Sequence, residues 1–102
     1  MKVYIIREKT GIKAEGEFDI NTGELVVKKN SVLSEQISKS EKFRGTDSIL
    51  KKREGKVINR VLQEDVFFSS PSTAANFVTG SSTNGWVSWK DEKGNNIKEY
   101  KV

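Results

Sequence analysis

Two groups of residues in this chain have the types and spacing to bind something. The first is the run Ser69-Ser70-Pro71-Ser72-Thr73, followed after a short apolar stretch by Asn84-Gly85-Trp86. Proline is favoured at the first position of a helix, and the residue before it is pushed out of the α region. Ser70 therefore reads as an N-cap, with the helix starting at Pro71. A helix start of this kind offers free backbone N–H groups and the positive end of the helix dipole. With the hydroxyls of Ser69, Ser70, Ser72 and Thr73 around it, it suits a phosphate oxygen, including one from a DNA or RNA backbone. Asn84 and a surface tryptophan would add base-edge or stacking contacts. The second group is the densest basic stretch, Ile49 to Arg60, with Lys51, Lys52 and Arg53 at its centre. It reads first as a solvated helix end, because cations favour helix C-termini, and second as a phosphate-binding run.

Catalytic readings find little support. The chain has no histidine and no cysteine, so the commonest general base, the thiolate nucleophile and the usual transition-metal ligands are missing. Serines are plentiful, but a Ser-Lys pair of unknown separation is a weak nucleophile signal. Asp91 to Asn96 lacks the alternating acids and closing glutamate of a calcium loop and fits a turn better. Glu64-Asp65 reads as the solvated start of a strand. The expectation is a domain that is no enzyme and carries no cofactor or metal.

Several elements must position these residues. Lys2 to Glu8 is β-branched and aromatic and reads as a strand. Asn21-Thr22-Gly23 supplies hairpin-turn residues, so Ala14–Asp19 and Glu24–Lys29 should pair antiparallel. Residues 30–39 read as a loop anchored by Val32, Leu33 and Ile37. A helix is expected over about Ser40 to Glu54, with Phe43, Ile49 and Leu50 on one face and Gly55 as the residue that ends it. Gly45 argues for a later start, at Thr46 or Asp47, either of which can cap. Lys56 to Leu62 looks like one strand, and Glu64 to Phe68 like a partly buried segment. The second helix runs from Pro71 to about Thr79, with Ala74, Phe77 and Val78 on its inner face and Gly80 at its end. Trp86 to Lys90 and Ile97 to Lys101 read as strands. In a strand the two tryptophans face opposite sides, so at least one belongs to the core.

At 102 residues, 34% hydrophobic and 31% charged, the chain makes one domain over residues 1–102 with a thin core. The fold expected is α+β, a small and mainly antiparallel sheet with two helices. The N-terminus lacks the apolar run of a secretory signal and no window approaches a membrane span. The expectation is a cytoplasmic protein without membrane contacts. Its net charge of +4 suits a nucleic acid partner without requiring one.

From Phe67 to Tyr100 the pattern is Phe, Ser-Pro-Ser, a small pair, Gly, then Asn-Gly-Trp, Trp-Lys and a glycine turn. This resembles the family called domain of unknown function 4357. Upstream, "KAEGEFD", "LVVKKNS" and "FRGTDSILKKREGKV" are similar to the family's strands and Arg-rich helix, so the likeness covers roughly Lys13 to the end. Asn30 departs from the usual glycine, yet asparagine tolerates a left-handed backbone and the turn survives. The family commonly sits at the C-terminus of GIY-YIG nuclease proteins and other bacterial proteins linked to nucleic acids or restriction. The resemblance thus implies an accessory role, and this chain has no GIY-YIG catalytic segment.

Together these readings favour a non-catalytic accessory module that binds DNA or RNA. The residues expected to bind are Ser69, Ser70, Ser72, Thr73, Asn84, Lys51, Lys52 and Arg53. The rival is a protein-interaction or homodimerisation module, its partner a protein such as a nuclease. Phe67 or an exposed tryptophan would anchor it, and an edge strand would offer backbone pairing.

Overall fold

The structure, a computed structural model, describes residues 1–38 and 45–101. Lys2–Arg7 (β1) pairs antiparallel with Ile12–Phe18 (β2), from Lys2 opposite Glu17 to Arg7 opposite Ile12. The chain then turns as the Asn-Thr-Gly signal requires. Asp19 Oδ1 accepts from the Asn21 and Thr22 N–H groups, and Gly23 takes φ +80°. Leu25–Val27 (β3) returns along β2, and Val66–Phe68 (β6) pairs with β3 after a long excursion. The result is a four-stranded antiparallel sheet in the order β1-β2-β3-β6.

The excursion holds the helix α1 (Thr46–Arg53) and a small hairpin of β4 (Val57–Ile58) and β5 (Val61–Leu62). After β6 come the helices α2 (Pro71–Thr79) and α3 (Gly85–Ser88), then a 3-10 helix at Ile97–Tyr100. The domain is α+β, as expected, and both expected helices are present.

The sheet's alternation decides where the core lies. Val3, Ile5, Ala14, Phe18, Leu25 and Val27 point to one face and are buried. Against them pack Ala74, Ala75, Phe77 and Val78 of α2, with Trp89 and Ile97. The other face carries Lys13, Glu15, Glu17 and Phe67, and among the described residues no helix covers it. Trp89 is wholly buried, and Trp86 is half-buried with its ring edge-on to Phe18. One tryptophan in the core and one half-covered matches the expectation.

Helix α2 follows its sequence closely. Ser70 is extended and its Oγ accepts from the Thr73 N–H at 3.3 Å. At the other end Gly80 takes the left-handed conformation, φ +74°, and its N–H returns to Asn76 O.

Elsewhere the expectations need correction. Lys56 to Leu62 is a hairpin and not a single strand, because Asn59 and Arg60 take positive φ (+50° and +72°) and reverse the chain. Arg60 holds that turn through its guanidinium, which donates to Leu33 O at 3.0 Å and to Thr10 O at 2.5 Å. Trp86 lies in α3 and Ile97 to Tyr100 in a 3-10 helix, where strands were expected; Asn84 caps α3 and commits the segment to a helical turn. The loop from Asn30 is more ordered than expected: Val32 bridges both Lys13 and Val61, and Leu33 is wholly buried. Asn30 does adopt φ +77°, the left-handed turn that its replacement of glycine had to preserve. Helix α1 starts at Thr46, but neither Thr46 nor Asp47 caps it. Gly45 is the N-cap and Thr46 Oγ1 donates to Ser38 O. Ile49 is buried while Leu50 is 53% exposed, so these two do not share the inner face. The expected helical residues before Gly45, Phe43 among them, and Lys39 lie outside the described residues.

Candidate functional site

The start of α2 is a packed joint. Ser70 Oγ is taken by the Thr73 N–H, and Thr73 Oγ1 donates to Ser70 O at 3.0 Å. Ser72 Oγ accepts from the Gly85 N–H at 3.2 Å, and Trp89 Nε1 donates to Pro71 O at 3.1 Å. Asn84 Oδ1 accepts from the Trp86 N–H at 3.1 Å and so caps α3. Gly85 sits so near that a Cβ there would overlap the Pro71 carbonyl and the Ser72 nitrogen. Ser70, Ser72 and Asn84 therefore hold α2 to α3 or cap them, and Gly85 packs directly against the Pro71–Ser72 peptide.

Arg53 is likewise engaged in structure. Its guanidinium donates to Ser34 O (2.9 Å), Ser34 Oγ (2.8 Å) and Phe77 O (2.6 Å), and lies over the Phe77 ring. Burial pushes its pKa down to about 10. The side chain satisfies a last-turn carbonyl of α2 that has no intrahelical partner. It ties the end of α1 to the end of α2.

The other expected residues do converge. Lys52, Ser69 and Thr73 line one groove between α1, β6 and α2, with a volume of about 310 Å³. Phe68 and Phe77 form its floor, their ring centroids 5.0 Å apart, and Phe67 stands at its rim with 52% of its surface exposed. Lys52 Nζ lies 5.4 Å from the centre of the Phe68 ring, a cation–π contact. Lys51 is exposed on the same helix, and among the described residues neither lysine forms an ion pair. Ser48 and Asn76 complete the polar lining. The hydroxyls of Ser48 and Ser69 have no protein partner among the described residues, so both are available as donors.

The lining also sets the groove's charge. Among the described residues no carboxylate lines it. Four other surface hollows each carry at least one: Asp91 and Glu92, Glu15, Glu17 with Asp19, and Glu35.

Sequence reasoning missed Ser48 and Asn76, although Asn76 stands three residues after Thr73 and so shares its helix face. Phe67, expected as an anchor for a protein partner, lies in the same groove as the residues expected to bind phosphate.

A family model described as domain of unknown function (DUF4357) matches residues 4–101. The chain belongs to this family. The DUF4357 match begins within β1, ahead of Lys13, where the resemblance was expected to start. Ser-Pro-Ser and Asn-Gly-Trp, on which the resemblance chiefly rested, make the joint between α2 and α3 in this DUF4357 domain. No curated protein and no solved structure matches the chain. Among the described residues no helix is long and apolar enough to cross a membrane.

Proposed function

We propose that this domain is a non-catalytic module that binds nucleic acid through the groove between α1, β6 and α2. The observation that carries the reading is the convergence of Lys52, Ser69 and Thr73 on one open groove whose lining, among the described residues, contains no carboxylate. An approaching phosphate meets the Lys52 ammonium and the Ser48 and Ser69 hydroxyls, with no acid in the described lining to repel it. Lys51, exposed and unpaired on the same helix, extends the positive surface. Ser70, Ser72, Asn84 and Arg53 act indirectly, by fixing the helices that form the groove walls.

A protein-interaction role has its own support in β6, which ends the sheet and exposes Phe67. Salt separates the two. Binding through phosphates weakens steeply with ionic strength, and an apolar interface hardly responds. The test is a fluorescence-anisotropy titration of the domain with labelled DNA and RNA at about 50 mM and at physiological salt. The expected result is binding at low salt that weakens at high salt, and that falls further in Lys51→Ala/Lys52→Ala. No binding at low salt, or binding indifferent to both salt and the lysines, overturns the proposal.

A further inference from the structure

If the groove is a nucleic-acid site, its geometry also selects which form of nucleic acid it accepts. Three observations bear on that choice, and each depends on the groove having this role.

The first is Phe67. Position 67 alternates with the buried Val66 and Phe68, so its side chain must project from the uncovered face of the sheet. Its ring lines the groove on one side and, on the other, a hollow shared with Val26 and Ile20. A half-exposed phenyl ring that pairs with no other ring among the described residues is a stacking platform.

The second is the edge on which it stands. The Lys28 N–H bonds Glu15 O and the Asp19 N–H bonds Glu24 O, which fixes the phase of the β2–β3 ladder. Alternation then directs the main-chain groups of Val26 to β2 and those of Leu25 and Val27 to β6. The N–H and C=O of Phe67 face away from β3, toward an edge that no strand pairs among the described residues. One donor and one acceptor thus flank the ring, as the edge of an unpaired base requires.

The third is size. At about 310 Å³ the groove is at the lower end of the range for small-ligand sites, room for one nucleotide unit. A base inside a duplex has both faces stacked and its pairing edge occupied, so it can use neither the ring nor the edge groups.

We infer that the domain binds single-stranded nucleic acid, with one base stacked on Phe67 and the adjoining phosphate held by Lys52 and the Ser69 hydroxyl. Stacking on an aromatic ring is tolerant of base identity, so the site selects for strandedness and not for sequence.

The experiment compares a labelled single-stranded oligonucleotide of mixed sequence with the duplex of the same length, at about 50 mM salt, for the native chain, Phe67→Ala and Phe67→Tyr. The single strand should bind at least tenfold more tightly than the duplex. Phe67→Ala should weaken the single strand by about 5- to 150-fold, the range for one lost stacked base, and leave the duplex unchanged. Phe67→Tyr, which keeps the ring, should restore single-strand binding. Unfolding curves show whether each variant keeps its fold; Phe67 is half-exposed, and Phe67→Tyr removes no volume. A duplex bound as tightly as the single strand, or a Phe67→Ala variant that binds the single strand undiminished, overturns this inference and leaves the broader proposal standing. Binding of neither form overturns both.

Discussion

The indole Nε1 of Trp89 donates to the main-chain carbonyl of Pro71 at 3.1 Å, joining two segments eighteen residues apart in sequence. Both groups are buried, so the bond cannot be replaced by water. Trp89→Phe keeps an aromatic ring but removes the indole donor while the Pro71 carbonyl keeps its place in the α2 ladder, a loss of about 0.5–1.5 kcal/mol before any cavity is counted. Trp86, half-buried, should tolerate the same change with less effect. Urea denaturation of Trp89→Phe and Trp86→Phe checks this, and equal midpoints would refute the role given to the Trp89–Pro71 bond.

Gly80 and Gly23 separate backbone strain from overlap. Both take positive φ, +74° and +80°. A Cβ on Gly23 meets nothing, whereas one on Gly80 would run into Gln36 O and Ser34 Oγ. Gly23→Ala should destabilise by about 1–2 kcal/mol, the conformational term alone. Gly80→Ala should lose about 1–3 kcal/mol more, the usual range for overpacking. Thermal unfolding of the two variants side by side decides it.

Arg53 and its neighbours Lys51 and Lys52 should behave in opposite ways. Arg53→Lys cannot reproduce the forked donation to Ser34 and Phe77 and should destabilise the fold by about 2–3 kcal/mol. The salt dependence of nucleic-acid binding should stay as it was. Lys51→Ala/Lys52→Ala should leave stability within about 0.5 kcal/mol. It should flatten the log K against log salt slope by about 0.7 per lysine for a single strand. An Arg53→Lys variant with native stability would remove the structural role assigned here.

Acid should loosen the C-terminal turn. The N–H of Asn95, with further help from the Tyr100 hydroxyl and the Lys93 N–H, holds the Asp91 carboxyl below the usual carboxylate range. A depressed folded-state pKa means that this stabilisation is complete above the unfolded value of about 3.9 and disappears as pH falls through the folded one. Tyr100 has the opposite sign. The hydrogen bond it gives to Asp91 raises its pKa, so its share is complete below about 10 and is lost as pH rises through the raised value. Asp91→Asn should flatten the acid limb of the stability–pH curve while the neutral region falls. An acid limb identical to that of the native chain would show that other carboxylates set it.

Where local chemistry acts alone, the sequence was legible. Ser70-Pro71 and Gly80 marked both ends of α2, and Asn21 to Gly23 marked the turn between β2 and β3. Reading failed where a distant contact outweighs local preference. Trp86 to Trp89 has strand-like composition, but Asn84 caps it as a helix and Trp89 must reach the Pro71 carbonyl. The β4–β5 turn lacks glycine altogether; Asn59 tolerates positive φ, and Arg60 is held in it by carbonyls from residues 10 and 33. The candidate site divides along the same line. That Lys52 and Ser69 share a groove depends on how α1 packs beside β6, and that Ser72 and Asn84 serve the α2–α3 joint depends on Gly85 having no side chain. Neither relationship is written in spacing.

Helix α1 has eight residues, buries only Ile49 and has no side-chain cap, and among the described residues the Arg53 clasp and the Thr46–Ser38 bond are its main fastenings. A helix so short does not persist in isolation. It should form a separate unit of local unfolding, its amides trading hydrogen for deuterium through openings that leave β1 and β2 closed. The two lysines proposed to meet phosphate stand on this short helix, so an oligonucleotide gripping them would slow exchange at Leu50 to Glu54 and leave exchange in β2 as it was. The clasp thereby gives the domain a register of occupancy that can be read in the protection of a single helix.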